Sequence, residues 1–206
     1  MGELIYLDEH RQHRSRPALD AAPAFFFDLA CPFSYLAAER IERILGEAEW
    51  LPVPGAAFAS GNTARRHPPT VDELRAAAER RASGLRLPLI WPERYPAAVP
   101  GALRAAAYAV KVGAGDRFAL AAARMAFCGG YDLNDPAVLT NVAAASGLAA
   151  DACLAAAADA SRDQGLHATA TWLRACGVRR LPAIRLAGAL RDAEAVFTEQ
   201  LLAPPA

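Results

Sequence analysis

The stretch AFFFDLACPFSYLAAERIERIL, Ala24 to Leu45, constrains this chain more than any other. Three consecutive aromatics in a short apolar run favour a buried strand over a helix, by length and by composition. After Pro32, residues Tyr35, Leu36, Ile41, Ile44 and Leu45 fall near a helical period with good helix formers between them. The strand therefore passes directly into a helix, and Cys31 is predicted at that helix's N-terminus. Unpaired N–H groups there favour an anion, so a thiolate is expected with a lowered pKa. Pro32 in the first turn gives up no intrahelical hydrogen bond and pre-sets the backbone. Ser34 lies on the same helical face, where its hydroxyl can reach the sulfur or a ligand. A structural cysteine with Ser34 as a plain N-cap accounts for the same four residues, and local sequence does not separate the two readings.

A chain of 206 residues is long enough for one compact domain or a domain with a large insertion. Lys plus Arg equals Asp plus Glu, 22 each, so no net field recommends nucleic acid or an acidic membrane as partner. No apolar run approaches the roughly 18 residues of a membrane span, and Asp20 and Asp28 interrupt the one patch that could imitate a secretory core. A cytoplasmic protein is the expectation. The four cysteines, Cys31, Cys128, Cys153 and Cys176, are widely separated, which suits neither a disulfide scaffold nor a metal site. The last three read best as small buried apolar residues. His10, His13, His67 and His167 are scattered; His67, in RRHPP, is the one nearest a loop of interest.

Along the chain, residues 1–23 read as a charged N-terminal tail. Residues 24–62 and 177–206 carry strand and helix signals of an α/β core. Residues 63–176 form a helical insertion between them. Within it, Thr70 and Glu73 make a capping pattern, and helical segments are predicted at about 102–112, 116–129, 136–146, 149–159 and 163–176, from alanine-rich sequence with Asp135 as an N-cap. Glu49 to Phe58 reads as an edge strand, because Pro52 and Pro54 interrupt it. Leu181 to Gly188 reads as a strand, with ALRDA as its hairpin partner. The fold class is α/β.

A second element bears on the site. Pro182 stands at the start of a predicted strand, where a cis bond after Leu181 costs roughly 0.5–1 kcal/mol, far less than for other residues. A cis Pro182 leaves the Leu181 backbone available to an extended thiol peptide beside Cys31; a trans edge-strand proline is the other reading. Phe33, Trp91 and Tyr95 are candidates for an aromatic pocket, or for core packing.

With these residues in hand, FFFDLACPFSYLAAERI resembles the opening of the DsbA-like thioredoxin superfamily. It is closest to the branch of 2-hydroxychromene-2-carboxylate isomerases and kappa-class glutathione transferases, which typically reads Phe-Asp-x-x-Ser-Pro-x-Ser-Tyr-Leu-Ala here. The resemblance continues through Gly61–Asn62, ERRASGLRLPLIWPERYP, GYDLNDPAVLTNVAAASGL and GVRRLPAIRLAG, in order and over most of Ala24 to Gly188. It implies a thioredoxin-like fold with a large all-helical insertion. By position it implies that Cys31 stands where the branch has its catalytic serine, with Ser34 beside it. Pro182 would be the cis-proline, Leu181 the backbone that holds glutathione, and Asn62 a loop residue near the site; Pro32 and Phe33 complete the turn. It further implies glutathione or another low-molecular-weight thiol as co-substrate, an electrophilic or aromatic substrate, no metal, and a homodimer.

The chain departs from that branch in three places. Cys replaces its serine, the Trp-Gly-x-Asp-Arg run that helps hold glutathione is replaced by RDAEAVFTEQ, and the single lysine, Lys111, falls away from the expected position. Three functions remain open: a thiol-dependent isomerase or transferase, a single-cysteine thiol–disulfide oxidoreductase in which Ser34 cannot resolve a mixed disulfide, and a non-catalytic thioredoxin-fold binding domain.

Overall fold

The computed structural model describes residues 22–58 and 69–196. The tail at 1–21, the Asn62 loop with Gly61 and His67, and the segment after 196 lie outside the described residues.

A four-stranded sheet has the order β2-β1-β3-β4, with β1 (Ala24–Phe27) and β3 (Ala183–Leu186) central. β2 (Glu49–Pro52) runs parallel to β1 and is joined to it through α1 (Pro32–Leu45); β3 pairs antiparallel with β1, and β4 (Ala189–Asp192) antiparallel with β3. The proline-broken segment is an edge strand as expected, but it ends at Pro52 and passes into a 3₁₀ turn at Gly55–Phe58. Ala187 and Gly188 both have positive φ, +48° and +74°, which suits a tight hairpin whose twist matches its strands.

The aromatic run is buried on both faces, and its period of two sorts it. Phe25 and Phe27 share one core with Leu36, Ile41, Trp50 and Ile184, while Ala24 and Phe26 share the other with Val53, Phe58, Ala170 and Leu173. Burial of both faces removes the polar alternation of a one-sided strand, which is why the sequence reads as continuously apolar.

Between β2 and β3 lie α2 (Val71–Leu85), α3 (Pro100–Lys111), α4 (Gly115–Phe127), α5 (Pro136–Ala145), α6 (Ala150–Ala158) and α7 (Asp163–Ala175). The capping box at Thr70 and Glu73 is formed, and Asp135 caps α5 by accepting from the Ala137 N–H. Alanines make close packing possible: Ala102, Ala105, Ala106 and Ala109 of α3 and Ala119, Ala122, Ala123 and Ala126 of α4 are all buried. α4 packs on α1, secured by the fork of Arg124 on Glu39, both bonds 2.7 Å. α7 lies in the same helical stretch but contributes Ala170 and Leu173 to the second face of the sheet. Arg104 of α3 holds it through a bidentate pair with Asp163. Helical backbone resumes at 193–196. Its Glu194 pairs with Arg81 of α2 at 2.6 Å, beside the buried Arg40 of α1.

Candidate active site at the tip of α1

The site begins where β1 ends. After Phe27 the chain turns through Asp28 to Ala30, the Cys31 N–H donates to the Asp28 carbonyl at 3.1 Å, and α1 starts at Pro32. Cys31 is the N-cap, in extended backbone geometry, and its side chain makes no capping bond. The helix tip is therefore left uncapped from within.

The Leu181–Pro182 bond is cis, and the Cys31 Sγ lies 3.9 Å from the Leu181 carbonyl oxygen, across 150 residues of sequence. Only the protonated thiol can donate to that carbonyl. Pro182 is buried and Leu181 half-buried; Phe33 is half-buried beside the tip. Ser34 is 3% exposed, and its Oγ accepts from the Asp28 N–H at 3.2 Å while also facing the Cys31 sulfur. It thus braces the turn as well as the thiol.

The expectation of an acidic thiol is overturned. Burial is the largest influence on Cys31 and the Asp28 carboxylate the next; together they push the thiol up to about 11, although the N–H groups of Ser34 and Phe33 and the Ser34 hydroxyl pull the other way. A helix tip favours the thiolate only as far as the surroundings let it keep its charge. Asp28 is itself buried, and burial raises its carboxyl above the ordinary range against the lowering effect of two backbone donors. Those donors are the Ala30 N–H at 3.0 Å and the Gly55 N–H at 2.8 Å. Gly55 is required there, since a Cβ at that position would sit 2.3 Å from Asp28 Oδ2.

The aromatic candidates divide. Tyr95 lines a space of about 20 Å³ with Leu29, Ala30 and Phe127, at the edge of the cysteine turn. Trp91 packs on Tyr95 with ring centroids 4.6 Å apart and donates to Glu79, and Arg75 lies over both rings. A second space, of about 10 Å³, lies between Cys31, Asp28, Ser34, Tyr35 and Trp50. Both are of the size of a water molecule, smaller than an aromatic ring.

Sequence reasoning missed two features. Asp28 interrupts an apolar run and sits in the family's pattern, and neither assigns it a place beside the thiol, although a carboxyl at the end of a buried strand is a signal in itself. Tyr35 was read as a helix-core residue; its hydroxyl donates to the Pro88 carbonyl at 2.9 Å and lies 3.0 Å from Cys128 Sγ, and no local pattern announces that contact. Among the described residues, no group of three or more His, Cys, Asp or Glu could hold a metal, and no helix is long and apolar enough to cross a membrane. His167 is exposed on α7.

The fold that carries this cysteine and cis-proline is matched by a family model. The family described as DSBA-like thioredoxin domain covers residues 24–200. The chain belongs to that family. Among solved structures, a 2-hydroxychromene-2-carboxylate isomerase is similar with a TM-score of 0.72 at 16% identity, over 87% of this chain and 93% of that one. A probable DsbA oxidoreductase from Streptomyces coelicolor gives 0.66 at 18% identity, over 87% and 88%. The cytosolic disulfide reductase DsbM from Pseudomonas aeruginosa, solved with GSH, gives 0.60 at 17% identity, over 88% and 99%. At these identities the likeness is one of fold, a thioredoxin-like sheet with a helical insertion. No curated protein matches the sequence.

Proposed function

We propose that the protein is a cytoplasmic enzyme that uses a glutathione-type thiol to isomerise, or to transfer that thiol onto, an electrophilic and often aromatic substrate. The observation that carries this reading is the placement of Cys31, an N-cap without a capping bond whose Sγ lies 3.9 Å from the Leu181 carbonyl before a cis-proline, where burial and Asp28 push the thiol up. A neutral S–H is a hydrogen-bond donor. It suits a group that steers the sulfur of an incoming thiol better than one that attacks a disulfide, which requires the thiolate.

In this mechanism the co-substrate sulfur docks at the α1 tip beside Cys31 and the Leu181 backbone and gives its proton to solvent. The Phe33 N–H and the Cys31 S–H stabilise the resulting anion. Transfer then forms an S–C bond as the leaving group departs with its electron pair. Isomerisation forms the same bond at a conjugated double bond, rotates the weakened bond and expels the thiolate unchanged. Asp28 keeps Cys31 protonated, and Ser34 holds the turn. Asn62 is assigned to the same site by resemblance.

The test is turnover of 1-chloro-2,4-dinitrobenzene and of 2-hydroxychromene-2-carboxylate with glutathione. Cys31→Ala is expected to lower kcat/KM by roughly 100-fold, the order associated with one donor positioned at a developing anion. Absence of turnover of both substrates by the unaltered protein would remove this reading. Rapid reduction of glutathione disulfide through Cys31 would replace it with the single-cysteine oxidoreductase.

A further inference from the structure

A groove of about 340 Å³ opens between the C-terminal end of α7 and the β3–β4 hairpin, and Cys31 does not line it. Its volume falls within the range of small-molecule sites, roughly 300–1,000 Å³. Arg179, Arg180, Arg191 and Asp192 line it, with Val178 and Leu190 supplying apolar wall and Cys176 at its α7 side. Three guanidiniums thus meet one carboxylate, in a chain whose formal net charge is zero.

That carboxylate is already engaged. Asp192 pairs with Arg180 and accepts the N–H groups of Glu194 and Ala195, at 3.0 and 3.4 Å. Arg179 is exposed and makes no salt bridge among the described residues. The backbone adds donors to this charge. The Val178 N–H donates to the Leu173 carbonyl at 3.0 Å, whereas those of Arg179 and Arg180 find no acceptor among the described residues. Backbone amides are obligatory donors, and successive ones are a recurrent means of holding an anion.

The charge count indicates which anion. Once Asp192 is set against Arg180, two guanidiniums remain in the lining. A phosphoryl group matches them, carrying about −1.5 to −2 charge at pH 7 and three strong acceptor oxygens, where a carboxylate would bring a single charge. Guanidinium forks bond such oxygens in pairs. Val178 and Leu190 offer apolar surface to whatever carbon body the phosphate carries.

We propose that this groove is a binding site for a phosphoryl dianion, free or as the monoester of a small molecule. The inference does not rest on the thiol-dependent reading of the Cys31 tip, and it gives the groove no part in that chemistry.

Cys176 makes the test local, because it is an exposed free thiol that lines the groove. The full chain is alkylated with iodoacetamide at constant pH and ionic strength, and the rate is read by mass spectrometry at residue 176. Inorganic phosphate and phenyl phosphate are expected to slow that rate saturably. Benzoate should need a concentration on the order of tenfold higher, the equivalent of one charge-assisted hydrogen bond. Arg179→Gln should weaken protection by phosphate to a similar degree, and Arg191→Gln, as a second variant, should do the same. Tighter protection by phenyl phosphate than by inorganic phosphate assigns the site to a monoester; equal protection assigns it to the free anion. No slowing at residue 176, slowing by benzoate as strong as by phosphate, or protection that survives both substitutions would overturn the proposal.

Discussion

Two helix starts in this molecule face the same physical problem and answer it differently. At α2, Thr70 Oγ accepts from the Glu73 N–H at 3.2 Å and Glu73 Oε2 accepts from the Thr70 N–H at 2.7 Å, so the orphan amides are satisfied by the helix's own side chains at an exposed site. At α1, the N-cap is a cysteine with no capping bond, followed by Pro32, and it is packed against Asp28, Ser34 and the Leu181 carbonyl. The first arrangement stabilises a helix end. The second turns the helix-tip amides of Phe33 and Ser34 toward the Cys31 sulfur and surrounds the thiol closely enough to favour its protonated form. A helix N-terminus alone predicts neither outcome; the burial around it decides.

The contrast is most readily broken through reactivity. Iodoacetamide should alkylate Cys31 roughly 10- to 100-fold more slowly at pH 7.5 than it alkylates N-acetylcysteine, because the scarcity of thiolate is only partly offset by its greater nucleophilicity. Asp28→Asn removes a charge that opposes the thiolate and should raise the rate. Mass-spectrometric rate profiles against pH, read at residue 31, check both; an apparent pKa below about 8.5 would show that the helix tip prevails after all.

A smaller effect follows in stability. The folded thiol titrates near 11 and the unfolded one near 9.0. The folded chain thus holds the Cys31 proton where the unfolded chain has released it. The contribution is fully present below pH 9 and is lost as pH rises toward 11, by at most about 2–3 kcal/mol. Urea denaturation of the protein and of Cys31→Ala across pH 8 to 11 should give curves that diverge over that window, with the unaltered protein losing stability faster.

The smallest effect sharpens the comparison from its other side. Thr70→Ala should cost about 1 kcal/mol through the lost cap, measured as a lower urea midpoint, and should leave the Cys31 alkylation profile unchanged. A change in that profile would mean that the two helix starts are coupled.

Much of this architecture is local and was legible. The Phe25–Phe27 run, the Thr70/Glu73 cap, the Asp135 cap and the strand at Ala183–Leu186 each depend on neighbours a few residues apart, and each forms near its expected position. The end of β2 was harder to place, because Pro52 is tolerated as the final residue of an edge strand. Asp28 was harder still: its partner Gly55 is 27 residues away, and nothing in the sequence between them indicates that the 3₁₀ turn returns to the end of β1.

What the sequence determined by itself was the order of elements and the placing of a cysteine, a proline and a serine at the first turn of α1, since strand period, helix period and capping are short-range properties. Whether that cysteine carries a charge was decided only in three dimensions. Desolvation and the field of Asp28 arise when β1, α1, the 3₁₀ turn and the loop before β3 close around one sulfur. Folding likewise brings β4's Arg191 to the groove that Arg179 and Arg180 line. Charge acts through space, and the chain's order does not record which groups folding will bring together.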